Sequence, residues 1–277
     1  MEVGRTSPVS VVTWQKGKGG QRRADVVVVE EPLEVRVDTR SLAVTMRTPG
    51  HDIELAVGYL LSEGIIRSAS DIADIRPYPR NELGNVLDVL LAPGVDWDAQ
   101  RLVRTGVISS SCGLCGKTTL EAVHQRFGKV PPGPSVPGDF FYELSERLRV
   151  AQETFSLTGG LHAAGLFGLD GGLLMAREDV GRHNALDKVI GRALLDGLLP
   201  LHRHVLLLSG RVSFEMMQKS LAAGIPIVAA VSAPSGLAVE FARKSRQTLI
   251  GFLRKDRFNV YSGHGRIGHL GKIARPS

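Results

Sequence analysis

The hydrophobic pattern changes character along the chain. From Val26-Val27-Val28-Val29 through Leu33-Glu34-Val35-Arg36-Val37 to Leu42-Ala43-Val44-Thr45-Met46-Arg47, apolar residues come in short runs or alternate at period two, which predicts three strands. Thr48-Pro49-Gly50-His51-Asp52 turns the chain into a helix from Ile53 to Glu63, with Asp52 as its expected N-cap and Gly64 as its stop. Val86 to Leu91 predicts another strand. The run Pro131-Pro132-Gly133-Pro134-Ser135-Val136-Pro137-Gly138 then breaks the composition, because prolines at this density fix the backbone and interrupt regular structure.

Beyond that break, helical and strand patterns alternate. A helix is expected over 139–153, then strands over 161–169 and 173–178 turning at Asp170-Gly171-Gly172. A helix over 182–195, a strand over 205–208 and a helix over 213–223 follow. The last elements are a strand over 225–230, a helix over 237–245 and a strand over 248–252. This order predicts an α/β fold whose C-terminal part is a three-layer α/β/α sandwich with a largely parallel sheet. The expected organisation is a loose basic arm (1–23), a smaller N-terminal α+β domain carrying a cysteine loop (24–130), and a C-terminal α/β domain (139–270).

Composition narrows the class. At 277 residues, with 43% hydrophobic and 22% charged positions, the chain resembles a soluble globular protein with a full core. No apolar run approaches the ~20 residues that span a bilayer, and Met1-Glu2-Val3-Gly4-Arg5-Thr6 lacks the apolar core of a signal peptide. No membrane association is expected. The two cysteines give no disulfide framework and suit a reducing cytoplasm. A net charge of +6 favours an anionic ligand, while an aromatic content of 5% argues against a nucleic-acid partner held by base stacking.

Both cysteines sit in Ser109-Ser110-Ser111-Cys112-Gly113-Leu114-Cys115-Gly116-Lys117-Thr118. Small neighbours keep the thiols reachable, and Lys117 favours thiolate over thiol. A short helix expected over Thr119 to Phe127 would add its dipole. A structural zinc site wants four Cys/His ligands, and no second pair is present. The ending Gly113-Leu114-Cys115-Gly116-Lys117-Thr118 resembles a phosphate loop, but that motif needs a glycine where Ser111 stands. Dithiol–disulfide exchange and sulfur transfer by a persulfide both remain compatible with the C-x-x-C spacing.

Other polar groups gather at expected strand ends. Thr158-Gly159-Gly160-Leu161-His162 places a histidine at the start of a strand, as a hydrogen-bonded core residue or a catalyst. Glu178-Asp179-Val180-Gly181-Arg182-His183-Asn184 joins a strand to a helix, as a capping cluster or a ligand site. Ser209-Gly210-Arg211-Val212-Ser213 and Val231-Ser232-Ala233-Pro234-Ser235-Gly236 repeat that geometry, and backbone N–H groups at such turns attract anions. Three such turns suggest one pocket for a phosphate-bearing ligand. The basic run Arg243, Lys244, Arg246, Arg254, Lys255 and Arg257 is a solvated face or a phosphate site, and its part from Gly251 to Arg257 leaves a strand at the same expected edge.

With these residues assembled, the chain resembles the formate dehydrogenase accessory sulfurtransferase family, FdhD. The resemblance rests on Thr48 to Leu60, Ser111-Cys112-Gly113-Leu114-Cys115-Gly116, Thr158 to His162, Arg177 to Ala185, Ser209-Gly210-Arg211, and Phe252 to Tyr261. It implies a sulfurtransferase acting as a homodimer, which takes sulfur from a cysteine desulfurase as a persulfide on Cys112, with Cys115 as its partner. The sulfur would pass to a molybdenum bis(molybdopterin guanine dinucleotide) cofactor, bound as substrate, that serves formate dehydrogenase. The segment implied for that cofactor is Phe252, Leu253, Arg254, Lys255, Asp256 and Arg257, joined by the anion turn Ser209, Gly210 and Arg211. A guanine nucleotide such as GDP would share that pocket. The C-terminal domain would resemble the cytidine deaminase fold without its zinc, because no histidine is followed two places on by glutamate. Two rivals stand beside this reading: a cofactor-binding chaperone without covalent sulfur transfer, and a general dithiol oxidoreductase.

Overall fold

Two sheets and the helices between them organise the computed structural model, which describes residues 4–78, 84–97 and 127–268. Cys112, Cys115 and most of the helix expected after them lie outside the described residues.

The first two strands, β1 (Thr6–Gln15) and β2 (Gly19–Val28), pair antiparallel as a separate ribbon, so the loose arm expected over 1–23 is instead an ordered hairpin. Its turn residues Gly17 and Gly19 both take positive φ, a conformation that supports a tight reversal. Next come β3 (Glu31–Val37), β4 (Arg40–Arg47), α1 (Asp52–Ser62), β5 (Ile72–Pro77) and β6 (Val86–Leu91). The four strands form one sheet in the order β4-β3-β6-β5, with only β3 and β6 parallel. Period-two alternation buries Leu33, Val35 and Val37 on one face, against α1.

The expected N-cap Asp52 is instead the first residue of α1. His51 occupies the cap in a left-handed conformation, and the Asp52 carboxylate accepts two hydrogen bonds of 2.9 Å from the guanidinium of Arg47. A buried arginine took the carboxylate that local capping would have used.

After the short β7 (Val136–Pro137), the single helix expected over 139–153 breaks up. A 3-10 turn (Gly138–Phe141), α2 (Leu144–Val150) and α3 (Glu153–Thr158) replace it. The cause is tertiary. Glu178, reaching across from a strand, accepts the backbone N–H groups of Thr154 and Phe155 at 3.0 and 2.8 Å, and so starts a new helix there. Then follow β8 (His162–Phe167), β9 (Leu173–Asp179), α4 (Arg182–Leu195), β10 (Val205–Leu208), α5 (Phe214–Ala222), β11 (Ile227–Ala230), α6 (Gly236–Ser245), β12 (Thr248–Gly251), β13 (Asn259–Ser262) and β14 (Ile267–Gly268).

These build a six-stranded sheet in the order β13-β12-β11-β10-β8-β9, while β14 pairs with β7. Only β10, β11 and β12 run parallel; the β8–β9, β8–β10 and β12–β13 pairings are antiparallel. The sheet is therefore mixed, not largely parallel. The hairpin turn at Asp170-Gly171-Gly172 forces β8 and β9 antiparallel, and the strand β13, absent from the expected elements, adds the other edge.

Strands β10 and β11 are apolar on both faces because both faces are covered. Leu206, Leu208, Val228 and Ala230 face α4, α5 and α6, whereas Val205, Leu207, Ile227 and Ala229 pack with Phe141, Leu144 and Leu148. Helix α4 lies between this sheet and α1. Gly58 of α1 and Gly191 of α4 meet there so closely that a Cβ on Gly58 would stand 1.8 Å from the carbonyl oxygen of Asp187, and one on Gly191 1.8 Å from that of Glu54. Only glycine permits this crossing. The apolar core runs without a break from Leu33 to Leu249 across both sheets.

Candidate functional site

The strand order gathers five strand ends on one edge of the larger sheet. Parallel β10, β11 and β12 end there at Leu208, Ala230 and Gly251. Antiparallel β8 starts there at His162, which pairs with Asp179 at the end of β9. The polar turns identified in the sequence thus converge, as expected of strand carboxyl ends in α/β sheets.

Along this edge lies a cavity of about 640 Å³. One wall is the helical face of α2 and α3, with Ser145, Leu148, Arg149, Gln152 and Phe155. The other is the strand-end wall, with Gly159, Gly160, His162, Ser209, Val231 and Lys255. Glu146 stands at the rim, 3.7 Å from the ammonium group of Lys255, and both side chains are largely exposed. Such an exposed pair contributes little to stability, which leaves Lys255 available to an incoming anion.

The residues expected to bind the cofactor divide between the cavity and its scaffold. Ser209 and Lys255 line the cavity. Ser209 also accepts the Ala163 N–H at 2.8 Å through its hydroxyl, which fixes its orientation. Gly210 abuts His162, where a Cβ would sit 3.1 Å from Nδ1. Arg211 is exposed. Phe252 is exposed and left-handed at φ 53, and its N–H donates to the Ser232 carbonyl at 3.2 Å. Leu253 is a core residue, 1% exposed. Arg254 spends its guanidinium on the carbonyls of Val231 and Leu253, at 2.7 and 2.8 Å. Its N–H meets the Arg257 carbonyl at 2.8 Å, closing a tight loop in which Asp256 and Arg257 stand exposed. That loop holds Lys255 at the cavity mouth.

Behind the strand-end wall the sheet edge is electropositive. Burial and the guanidinium groups of Arg182 and Arg211 push the His162 pKa down, against the pull of Asp179. His183, 3.5 Å from the Ser213 hydroxyl and 4.0 Å from Glu215, is lowered to about 4, by burial first and then by Lys219 and Arg182. Both imidazoles are neutral at physiological pH.

The segment Glu178 to Asn184 is chiefly a capping and anchoring cluster. Glu178 caps α3, as above. Asp179, fully buried, binds Lys188 at 2.6 Å and accepts the N–H groups of Gly181 and Thr48 at 2.8 and 3.2 Å. Asn184 donates to the Met46 carbonyl at 2.8 Å. These bonds tie the edge of the larger sheet to the turn that launches α1.

Sequence reasoning missed Ser145, Arg149, Gln152 and Phe155. The first three fell inside the helix expected over 139–153, and Phe155 lay just beyond it. A sign was present: Ser145, Leu148, Arg149, Gln152 and Phe155 recur at spacings of three and four, and polar residues interleaved with apolar ones at that spacing ask for partners.

Compared with known proteins, residues 28–268 match the model of the FdhD/NarQ family. The chain belongs to that family. It is 50% identical over 254 residues to the sulfur carrier protein FdhD of Streptomyces avermitilis, covering 88% of this chain and 90% of that one. It is also 50% identical to the protein of that name from Mycobacterium tuberculosis, covering 88% and 92%. Among solved structures, a crystal structure assigned as a formate dehydrogenase accessory protein from Desulfotalea psychrophila superposes with a TM-score of 0.76 at 26% identity. That match covers 95% of this chain and all of the other. Among the described residues, no helix is long and apolar enough to cross a membrane.

Proposed function

We propose that the protein is a cytoplasmic sulfur carrier. It accepts persulfide sulfur from a cysteine desulfurase on Cys112 and transfers it to a molybdenum bis(molybdopterin guanine dinucleotide) cofactor, bound as substrate, for use by formate dehydrogenase. The observation that carries the reading is a cavity of nucleotide size at the convergent strand ends, in a chain half identical to proteins named sulfur carriers.

The residues support each step chemically. The Cys112 thiolate, favoured by Lys117, attacks the terminal sulfur of the donor persulfide. A new S–S bond forms, the donor cysteine leaves as thiolate, and no net oxidation occurs. Releasing that sulfur as hydrosulfide takes two electrons. Attack of the Cys115 thiolate on the Cys112 sulfur supplies them and leaves a Cys112–Cys115 disulfide, which a cellular dithiol then reduces.

Lys255 and the backbone at Gly159-Gly160 suit the phosphates of the cargo. One cavity of this size takes one nucleotide arm, and a cofactor with two arms asks for a second copy of the chain, in keeping with a homodimer. In this reading the cysteine-bearing region 24–130 supplies sulfur and the region 139–270 holds the nucleotide, and GDP occupies the same cavity. The order β8-β9-α4-β10-α5-β11-α6-β12, with helices on both sheet faces, supports kinship of the C-terminal region with the cytidine deaminase fold. No group of three or more His, Cys, Asp and Glu side chains poised to hold a metal occurs among the described residues.

The test is complementation. In cells lacking their own accessory protein, the wild-type chain restores formate dehydrogenase activity and Cys112→Ala does not. Activity restored by Cys112→Ala would overturn the reading.

A further inference from the structure

Buried polar groups in folded proteins are almost always hydrogen-bonded, and leaving one unpaired costs about 1–3 kcal/mol. The helical wall of the cavity breaks this rule at Ser145 and carries a second polar side chain, Gln152, that makes no hydrogen bond among the described residues. Gln152 is 5% exposed and lines the cavity. Its backbone is fully used: the N–H donates to the Arg149 carbonyl at 3.2 Å, and its carbonyl accepts from Ser156 through both N–H and hydroxyl. Its side-chain carboxamide has no partner among the described residues. Although Gln152 stands at the N-cap of α3, it makes no side-chain capping bond, because Glu178 fills that role. About two turns earlier on the same wall, the Ser145 hydroxyl is buried and unpaired.

We propose that Ser145 and Gln152 bind the base at the nucleotide end of the cargo, with Gln152 reading its edge. This inference rests on the nucleotide reading given above and adds how the ligand lies. The two walls differ in the chemistry they offer. The strand-end wall presents Lys255, the Ser209 hydroxyl and the exposed backbone of Gly159-Gly160, which suit phosphate. The helical wall presents the Phe155 ring and the apolar edge of the core residue Leu148 beside the two polar groups, which suit a heterocycle.

A carboxamide holds an acceptor and a donor side by side. Guanine offers the complementary pair on its Watson–Crick edge, an N–H donor next to the O6 acceptor. Held between apolar side chains, that edge satisfies Gln152 without moving it. The Arg149 guanidinium lies 4.9 Å from the Phe155 ring centre and is itself bonded to the Ser156 hydroxyl at 2.7 Å.

Calorimetric titration of the full chain with GDP and with inorganic pyrophosphate separates the walls. Gln152→Met and Ser145→Ala each remove a group that has no partner to lose, so the melting temperature of the free protein does not fall. Each weakens GDP binding, by about tenfold for Gln152→Met, and leaves pyrophosphate binding unchanged. Lys255→Ala weakens both ligands. Equal losses of GDP and pyrophosphate in Gln152→Met and Ser145→Ala, or undiminished GDP binding, would overturn the inference. If Gln152→Met unfolds the protein, Gln152 is structural and its role as reader is refuted; Ser145→Ala then decides whether the base lies on this wall. Failure of the wild type to bind GDP also overturns the inference, whereas the sulfur-carrier reading stands or falls separately on the persulfide at Cys112.

Discussion

Replacing Gly58 by alanine sets two effects of opposite sign against each other. In an isolated helix, alanine is favoured over glycine by about 1 kcal/mol. In this fold the added Cβ would lie 1.8 Å from the Asp187 carbonyl oxygen and 2.9 Å from the Gly191 nitrogen. Both obstacles are backbone, so no side chain can rotate away. Restoring an ordinary contact of 3.4 Å means separating α1 from α4 by about 1.6 Å at the centre of a close-packed core. Overpacking of a core costs about 1–3 kcal/mol, and more where backbone must move. A net loss of about 3 kcal/mol is therefore expected, which for a chain of this size lowers the melting temperature by about 6–12 °C. Thermal unfolding followed by circular dichroism reads this directly. Gly191→Ala inserts its Cβ against the Glu54 carbonyl at the same crossing. Once either substitution has parted the helices, the other costs less, so the double variant loses at least about 1 kcal/mol less than the sum. A melting temperature equal to or above the wild type for Gly58→Ala, or strict additivity, would refute the close crossing.

Further outcomes follow from the buried charges. Asp179→Asn strands Lys188, which is 1% exposed, and should cost about 3–5 kcal/mol in urea unfolding. Lys219→Met similarly leaves Asp187, among the described residues, with only the Ser62 hydroxyl, so its loss at neutral pH should exceed that of an exposed pair such as Lys244 with Glu240. Glu54 and His183 both contribute to the acid limb. Burial raises the Glu54 pKa, but the Arg177 bond and His51 outweigh it and hold the carboxyl at about 2, below its ordinary 4.5. Its contribution is complete above pH 4.5 and disappears as pH falls towards 2. His183 stays neutral down to about pH 4, against an ordinary 6.5, so folding favours its neutral form and stability falls as pH drops from 6.5 to 4. In a melting series from pH 8 to pH 3, His183→Gln should flatten the upper part of the decline and leave the lower part. An unchanged upper slope would show that His183 titrates normally.

Much of the larger sheet was legible because its strands and helices carry uninterrupted local patterns. The helix over 182–195 and the strand over 205–208 have the bounds their apolar spacing predicts. What was hidden depends on distant partners. The break between α2 and α3 is imposed by Glu178 from β9, and the start of α1 by Arg47, neither visible in the local pattern. The hairpin of β1 and β2 was obscured by its basic, largely exposed surface, which reads as a solvated arm. At the site, the strand-end turns were readable as small polar clusters, and two residues among them, Ser209 and Lys255, do line the cavity. Leu253 and Arg254 share that segment yet serve the scaffold, because a strand exit alternates inward and outward side chains. The helical wall with Gln152 became visible only once α2 and α3 were folded against the sheet edge.

The most direct test of the central claim is intact-protein mass spectrometry after incubation with a cysteine desulfurase and free cysteine, before and after dithiothreitol. The account predicts a gain of one sulfur on the wild-type chain, lost on reduction and absent from Cys112→Ala. No adduct on the wild type, together with tight GDP binding by both proteins, would contradict it and leave a chaperone that binds the cofactor without carrying sulfur.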